Sequence, residues 1–303
     1  MRLCELLKHG AATLQQAGVE AAELEARLLL EAFSHMGRTE IYLHQEKEVD
    51  PAVASAYFAG IARREKREPL AYILAEREFW SQPFFVDPRV LIPRPETEFL
   101  VDRVLTLADP ANFHHGLVID LCCGSGVIAA VLAMETKARV IAADISAPAL
   151  AVARKNILRH HLAEQVTLVQ TDLLSAFSRS SRFSLVVSNP PYVRRAELAG
   201  GLAREVVEHE PHLALDGGDD GMMVINRIHQ ELAGRLCPGG QLFMEIGADQ
   251  AGQVMALFAT RRAGVPAFEE RTIHQDYAGR DRVFQARLAG ATEELQVNGQ
   301  TDH

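Results

Sequence analysis

The sequence predicts an α/β fold: a doubly wound, mostly parallel seven-stranded sheet with a smaller N-terminal helical bundle. Three observations carry this. From Leu117 onward, short apolar runs alternate with helical stretches, the pattern of a parallel sheet built through crossovers. Residues 1–75 instead show helical periodicity, as in Leu24, Arg27, Leu28, Glu31 and Ala32. Three of the strand-like runs end at, or just before, an acid, and a fourth ends at Asn189, a distribution suited to a ligand at the carboxyl edge of a sheet.

In chain order, the first 75 residues read as a helical bundle. Asp50-Pro51 opens one of its helices, with the acid as cap and the proline at the first helical position. The run Arg63-Arg64-Glu65-Lys66-Arg67 reads as a solvated face or a partner contact. Phe79, Trp80, Phe84, Phe85 and Val86, with Pro83 and Pro88 among them, mark a hairpin linker over 76–95. A helix then starts at Glu96 or Thr97. Strands follow at 117–121, 139–144, 166–170, 184–188 and 241–246, with two more near 269–273 and 283–288. Helices are expected at 127–134, 148–161, 221–236 and 250–260, with Cys237-Pro238-Gly239-Gly240 as a turn. The domain expected over 96–289 is followed by a polar tail, 290–303, read as disordered.

Bulk properties narrow the function classes. The 303 residues, 48% hydrophobic, suffice for a sizeable core. A formal net charge of −9 disfavours a dedicated nucleic-acid binder. Cys4, Cys122, Cys123 and Cys237 lack C-x-x-C spacing, so no metal site is expected and a reducing compartment is. The N-terminal residues lack an apolar signal core, and no run approaches the ~18 apolar residues of a membrane span. The expected location is the cytoplasm.

The chemistry concentrates on two segments. Asp120-Leu121-Cys122-Cys123-Gly124-Ser125-Gly126 ends the first strand in a tight turn. Asp144 ends the second strand, placed to accept ribose hydroxyls, and Asp172-Leu173 follows the third, where the acid suits an adenine amino group. A pyrophosphate would be repelled by Asp120. The ammonium and sulfonium of S-adenosylmethionine would not, so the charge pattern favours that cofactor. The second segment is Asn189-Pro190-Pro191-Tyr192. Its prolines fix φ, and Pro190 holds Asn189 extended at a strand tip. An immobilised amide beside an aromatic face can grip a planar group bearing an NH₂. Asn-Pro also marks ordinary turns.

With these residues assembled, the chain resembles class I S-adenosylmethionine-dependent methyltransferases, and more narrowly the peptide chain release factor N5-glutamine methyltransferase family. The resemblance runs to about Leu288 and rests on the two segments above. It also rests on Leu91-Ile92-Pro93-Arg94-Pro95-Glu96-Thr97-Glu98, Glu210-Pro211-His212-Leu213-Ala214-Leu215-Asp216-Gly217-Gly218-Asp219-Asp220-Gly221 and Ala278-Gly279-Arg280-Asp281-Arg282. Cys122-Cys123 departs from the family, which commonly shows Gly-Thr there. The resemblance implies a substrate-docking helical domain (1–75), the linker (76–95) and a Rossmann-like catalytic domain. It implies a class 1 release factor as partner, methylated at the glutamine of its Gly-Gly-Gln loop, with S-adenosylhomocysteine as by-product. Asn189, Pro190 and Tyr192 would be catalytic. Pro191, Arg94 and Glu98 would join them in binding substrate. Asp120, Cys122, Cys123, Gly124, Ser125, Gly126, Asp144, Asp172, Leu173 and Asn189 would bind cofactor. Alternatives are glutamine methylation of a ribosomal protein, amino-group methylation of a nucleic-acid base, and a non-catalytic scaffold.

Overall fold

The computed structural model describes residues 1–232, 234–260 and 268–289; the tail expected over 290–303 lies outside them. The chain opens with helices α1 (Leu3–Gln16), α2 (Ala22–Ser34), α3 (Arg38–Leu43), α4 (Pro51–Glu65) and α5 (Leu70–Leu74). The start of α4 follows from its Asp-Pro pair: Asp50 accepts the Ala52 N–H at 2.7 Å, and Pro51 occupies the first helical position. Strands β1 (Arg77–Phe79) and β2 (Gln82–Phe84) form an antiparallel hairpin. Its turn residues, Trp80 and Ser81, have φ of 55° and 54°. That is the left-handed geometry which matches the twist of paired strands.

Helix α6 (Pro95–Leu107) begins one or two residues earlier than the sequence suggests. Proline fixes the φ that a first helical residue needs. The α/β part continues with β3 (Leu117–Leu121), α7 (Val127–Thr136), β4 (Val140–Asp144), α8 (Ala147–Arg159), β5 (Val166–Gln170) and β6 (Phe183–Ser188). Short helices α9 (Arg195–Leu198) and α10 (Arg204–His209) precede α11 (Met223–Leu232). The chain then runs through β7 (Leu236–Glu245), α12 (Ala251–Ala259), β8 (Phe268–Gln275) and β9 (Asp281–Leu288).

Among the described residues the main sheet has seven strands in the order β5-β4-β3-β6-β7-β9-β8. The pairings among β3 to β7 are parallel, and β9 pairs antiparallel to both β7 and β8. Strand order reverses between β3 and β6, which makes their carboxyl ends the switch point where ligands bind in such sheets.

Two expectations are corrected. The helix read from Gly221 to Leu236 spans only Met223–Leu232. Gly221 has φ 77°, outside helical space, and Asp220 Oδ1 accepts the Met222 N–H at 2.9 Å just ahead of the helix. Leu236 is already strand, opposite Phe183. The turn read at Cys237–Gly240 lies inside β7. There the register jumps from Phe183↔Leu236 to Leu185↔Gln241, so these four residues bulge from the ladder.

The described residues form two compact units, Met1–Pro93 with Ala196–Ala214, and Arg94–Arg195 with the described residues from Leu215 on. The first is mainly helical and carries the β1–β2 hairpin. Leu3, Leu6, Leu14, Leu29, Leu30, Tyr57 and Ile61 form its core, and the Tyr57 hydroxyl donates to the Leu6 carbonyl at 3.2 Å. Buried Arg64 pairs with Glu25 and with Glu205 of α10. The Ile92 N–H donates to buried Glu210 at 3.1 Å. In the second unit, Val127–Ala133 of α7 are all buried, which explains why that helix reads as an unbroken apolar run. On another part of the sheet, Phe183, Phe258 and Phe284 join Ile225, Ile228, Leu242 and Met244 in the core. Each fully buried Phe contributes about 2 kcal/mol of transfer free energy.

Candidate active site

The β3–β6 ladder brings the two chemical segments side by side. Leu121 is opposite Ser188, and the Ser188 hydroxyl donates to the Leu121 carbonyl at 2.8 Å. The next residues are Cys122, which opens the small-residue turn, and Asn189, which opens the proline segment. Adjacency of turn and amide is therefore a consequence of strand register.

The turn is held on several sides. The Cys123 N–H donates to the Ala143 carbonyl at 3.1 Å, and the Gly124 N–H to Asp144 Oδ2 at 2.8 Å. Asn156, buried on α8, donates its Nδ2 hydrogen to the Ser125 carbonyl at 2.9 Å. Gly124 and Gly126 have φ of 52° and 77°, conformations that favour glycine. A β-carbon on Gly124 would meet no atom within 4 Å, whereas one on Gly126 would lie 3.0 Å from Ala153 Cβ. Gly124 thus borders open space, and Gly126 lets α7 approach α8. Cys122 also has positive φ, 61°. Here the departure from glycine costs backbone strain of about 1 kcal/mol. Desolvation raises the pKa of both thiols, so Cys122 and Cys123 stay neutral.

Asp120 is fully buried. Its Oδ2 accepts the Ala129 N–H at 3.1 Å, while Oδ1 has no hydrogen-bond partner among the described residues. Burial holds this carboxyl well above the usual range, against the Ala129 hydrogen bond. A cationic group reaching Oδ1 would satisfy it and stabilise its charge. Asp144 ends β4 with Oδ1 accepting the Ser146 N–H at 2.8 Å and Oδ2 accepting from Gly124. Burial raises its pKa too, opposed by these hydrogen bonds. The Ile145 backbone adds a third such hydrogen bond. Asp172 differs: its side chain is 45% exposed and pairs with Arg227 at 2.9 Å. Leu173 beside it is buried, with φ 49°.

On the other side, Pro190 is buried and Asn189, Pro191 and Tyr192 are half-buried. Asn189 donates its Nδ2 hydrogen to Thr97 Oγ1 at 3.0 Å. The Thr97 hydroxyl donates to Glu245 Oε2 at 2.8 Å, and the Tyr192 hydroxyl to Glu245 Oε1 at 2.9 Å. Glu245, 1% exposed at the end of β7, has its pKa raised by burial and lowered in turn by these two hydroxyls and by Arg282. Desolvation, then the Glu245 charge, likewise raises the Tyr192 phenol, so it stays protonated. Below Tyr192 the Asp216–Gly221 loop packs closely. A β-carbon on Gly217 would sit 2.7 Å from Tyr192 Cα. Gln250 Nε2 donates to the carbonyls of Tyr192 and Gly221 at 3.2 and 3.1 Å.

Arg94 immediately precedes α6 and Glu98 lies in its first turn, both half-buried. Thr97, Glu245, Asn156 and Gln250 did not stand out in the sequence as site residues. A lone glutamate inside a buried strand was the available signal for Glu245, since such a group requires partners.

Comparison with known proteins bears on the chain as a whole. The family model described as the PrmC N-terminal domain matches residues 5–74, and the methyltransferase small domain matches residues 96–236. The chain is 40% identical over 287 residues to the release factor glutamine methyltransferase of Moorella thermoacetica, covering 94% of this chain and 98% of that one. It is 38% identical over 285 residues to that of Nitratidesulfovibrio vulgaris, covering 93% and 94%. The corresponding Geobacter sulfurreducens protein is 40% identical over 276 residues, covering 91% and 93%. Among solved structures, the hMettl16 catalytic domain in complex with MAT2A 3′UTR hairpin 6 aligns with a TM-score of 0.53 at 13% identity, covering 80% of this chain and 84% of that one. That likeness concerns the fold alone.

Proposed function

The chain belongs to the release factor glutamine methyltransferases, and on that premise we propose that it transfers a methyl group from S-adenosylmethionine to the side-chain nitrogen (N5) of the glutamine in the Gly-Gly-Gln motif of class 1 peptide chain release factors. The observation that carries this reading is the half-buried Asn189 amide, fixed at the tip of β6 beside the small-residue turn.

The residues present suit the cofactor. Unpartnered, buried Asp120 Oδ1 would take the ammonium group, Asp144 the ribose hydroxyls, and Asp172 with Leu173 the adenine. The turn from Cys122 to Gly126 would line the space that Gly124 leaves open. When bound, S-adenosylmethionine supplies an electrophilic methyl group on sulfur and leaves as S-adenosylhomocysteine.

An amide nitrogen is a poor nucleophile because its lone pair is shared with the carbonyl. The protein's part is to orient it. Asn189 Oδ1 and the Pro190 carbonyl each accept one hydrogen of the glutamine NH₂, which aims the lone pair away from them towards the methyl group. Tyr192 covers the amide plane and excludes water. Pro191 stiffens the segment, and Arg94 and Glu98 contact substrate at the start of α6. Fixed geometry of this kind supplies much of a barrier reduction. The proton lost from nitrogen passes to solvent. The helical unit serves to dock the large protein substrate.

The test is incubation of the full chain with methyl-labelled S-adenosylmethionine and, separately, a release factor, a ribosomal protein, DNA and RNA. Mass spectrometry then locates the label. Label on the Gly-Gly-Gln glutamine is expected; label confined to any other acceptor overturns the reading.

A further inference from the structure

An asparagine amide can sit in its site in two orientations of nearly identical shape, exchanging oxygen for NH₂. For the reaction above the two are not equivalent. With Oδ1 towards the substrate, Asn189 accepts a hydrogen; reversed, it presents NH₂ to NH₂ and repels. Something must therefore choose the orientation.

The choice is legible in the hydrogen-bond chain. Both oxygens of buried Glu245 are taken, Oε2 by Thr97 at 2.8 Å and Oε1 by Tyr192 at 2.9 Å. Two donated hydroxyls and the nearby Arg282 charge favour the ionised form of Glu245, and an ionised carboxylate only accepts. The single hydroxyl hydrogen of Thr97 is thus committed to Glu245, and towards Asn189 the threonine oxygen can only accept. The amide end that meets it at 3.0 Å must be Nδ2, which turns Oδ1 the opposite way. The same carboxylate holds the Tyr192 ring through its hydroxyl. One buried group at the end of β7 so governs both side chains of the proline segment, although Thr97 lies 148 residues away in the chain.

We infer that Glu245 is a positioning residue for methyl transfer, setting the polarity of the Asn189 amide through Thr97 and the plane of Tyr192 directly. This rests on the reading that Asn189 Oδ1 accepts a substrate hydrogen.

Thr97→Val removes the hydroxyl at almost constant shape and tests the chain in the full-length enzyme with a release factor as acceptor. The expected result is a loss of kcat of roughly 100-fold, with KM for the release factor and calorimetric affinity for S-adenosylmethionine changed by no more than about threefold. Thr97→Ser, which restores the hydroxyl, should recover most of kcat. A Thr97→Val enzyme with wild-type kcat, or a loss that Thr97→Ser fails to recover, overturns the inference. Should the valine variant not fold, the wild-type protein labelled with ¹⁵N-asparagine decides. The carboxamide signal missing from an Asn189→Ala spectrum should exchange slowly with solvent, and exchange as fast as that of an exposed asparagine overturns the inference. Asn189→Ala also separates the two levels: wild-type turnover there sinks the reading of the site, whereas an inactive Asn189→Ala beside a fully active Thr97→Val sinks the positioning role alone.

Discussion

Ser188 stands opposite Leu121 in the parallel ladder and donates its hydroxyl to the Leu121 carbonyl at 2.8 Å. Each of these residues is followed at once by the start of a loop that carries candidate site residues. The small-residue turn and the Asn189 amide are therefore neighbours by register but have separate supports: α8 and β4 for the turn, and α6 and β7 for the amide. Separate supports imply separable losses. Asn189→Ala should lower methyl transfer by roughly 100-fold or more, with a far smaller loss of S-adenosylmethionine affinity by calorimetry. Unchanged turnover contradicts the assigned role.

The two glycines of the turn should respond in opposite ways. Gly124→Ala places its methyl in open space, so stability falls only by the left-handed strain of about 1 kcal/mol. That space is where the cofactor would lie, so affinity should drop at least about tenfold, which corresponds to about 1.4 kcal/mol. Gly126→Ala adds to the same strain a contact of 3.0 Å with Ala153 Cβ. Overpacking between two helices typically costs a further 1–3 kcal/mol or so. Thermal unfolding should rank Gly126→Ala below Gly124→Ala; the reverse order counts against the reading.

How much of this was legible beforehand depended on distance along the chain. β3, β4 and β6 were readable because buried parallel strands are plain β-branched and apolar runs. The Asp50-Pro51 helix start was readable because its cap is local. Cys237–Gly240 misled because a bulge inside a strand uses the same residues as a turn. Asp172 was legible as an acid near a strand end, but its partner Arg227 comes from α11, far along the chain. Thr97 was visible only as a helix-start residue, and Glu245 only as one polar letter in a buried strand. Their union depends on tertiary packing, and no local periodicity encodes it.

The burial of Asp120 should appear as pH dependence. Its folded pKa lies above the unfolded value, with desolvation as the leading cause. A group shifted upward contributes stability that is fully present below its unfolded pKa and lost as pH rises through the folded one. Stability of the ligand-free protein should thus decline with rising pH across that interval, which begins at the ordinary carboxylate pKa of about 4. Cofactor affinity should rise over the same interval, because an ammonium group pairs with the ionised form. Asp144 and Glu245 are shifted in the same direction, so the comparison that isolates Asp120 is wild type against Asp120→Asn. Melting temperature and calorimetric affinity measured against pH should both flatten in the variant. Identical slopes in the two proteins contradict the prediction.

Arg64 offers the sharpest test of the helical unit. It is 7% exposed and lies between Glu25 of α2 and Glu205 of α10, while Arg67 also reaches Glu205 at 2.8 Å. Glu205 belongs to the segment Ala196–Ala214, which follows the proline segment in the chain yet forms part of the helical unit. Burial alone would raise its pKa, but hydrogen bonding and the two arginines bring it below the usual value. Its stabilising contribution is therefore present above the unfolded pKa and is lost as pH falls through the folded one. Arg64→Leu leaves two carboxylates half-compensated in a poorly solvated place. Breaking a buried pair in this way costs about 3–5 kcal/mol, whereas replacing all members with apolar residues can be close to neutral. Arg64→Leu should lower the melting temperature strongly, and the triple variant with Glu25→Leu and Glu205→Leu should recover much of it. Equal melting temperatures for wild type and Arg64→Leu would mean that the packing of α2, α4 and α10, not the ion pairs, holds Ala196–Ala214 in place.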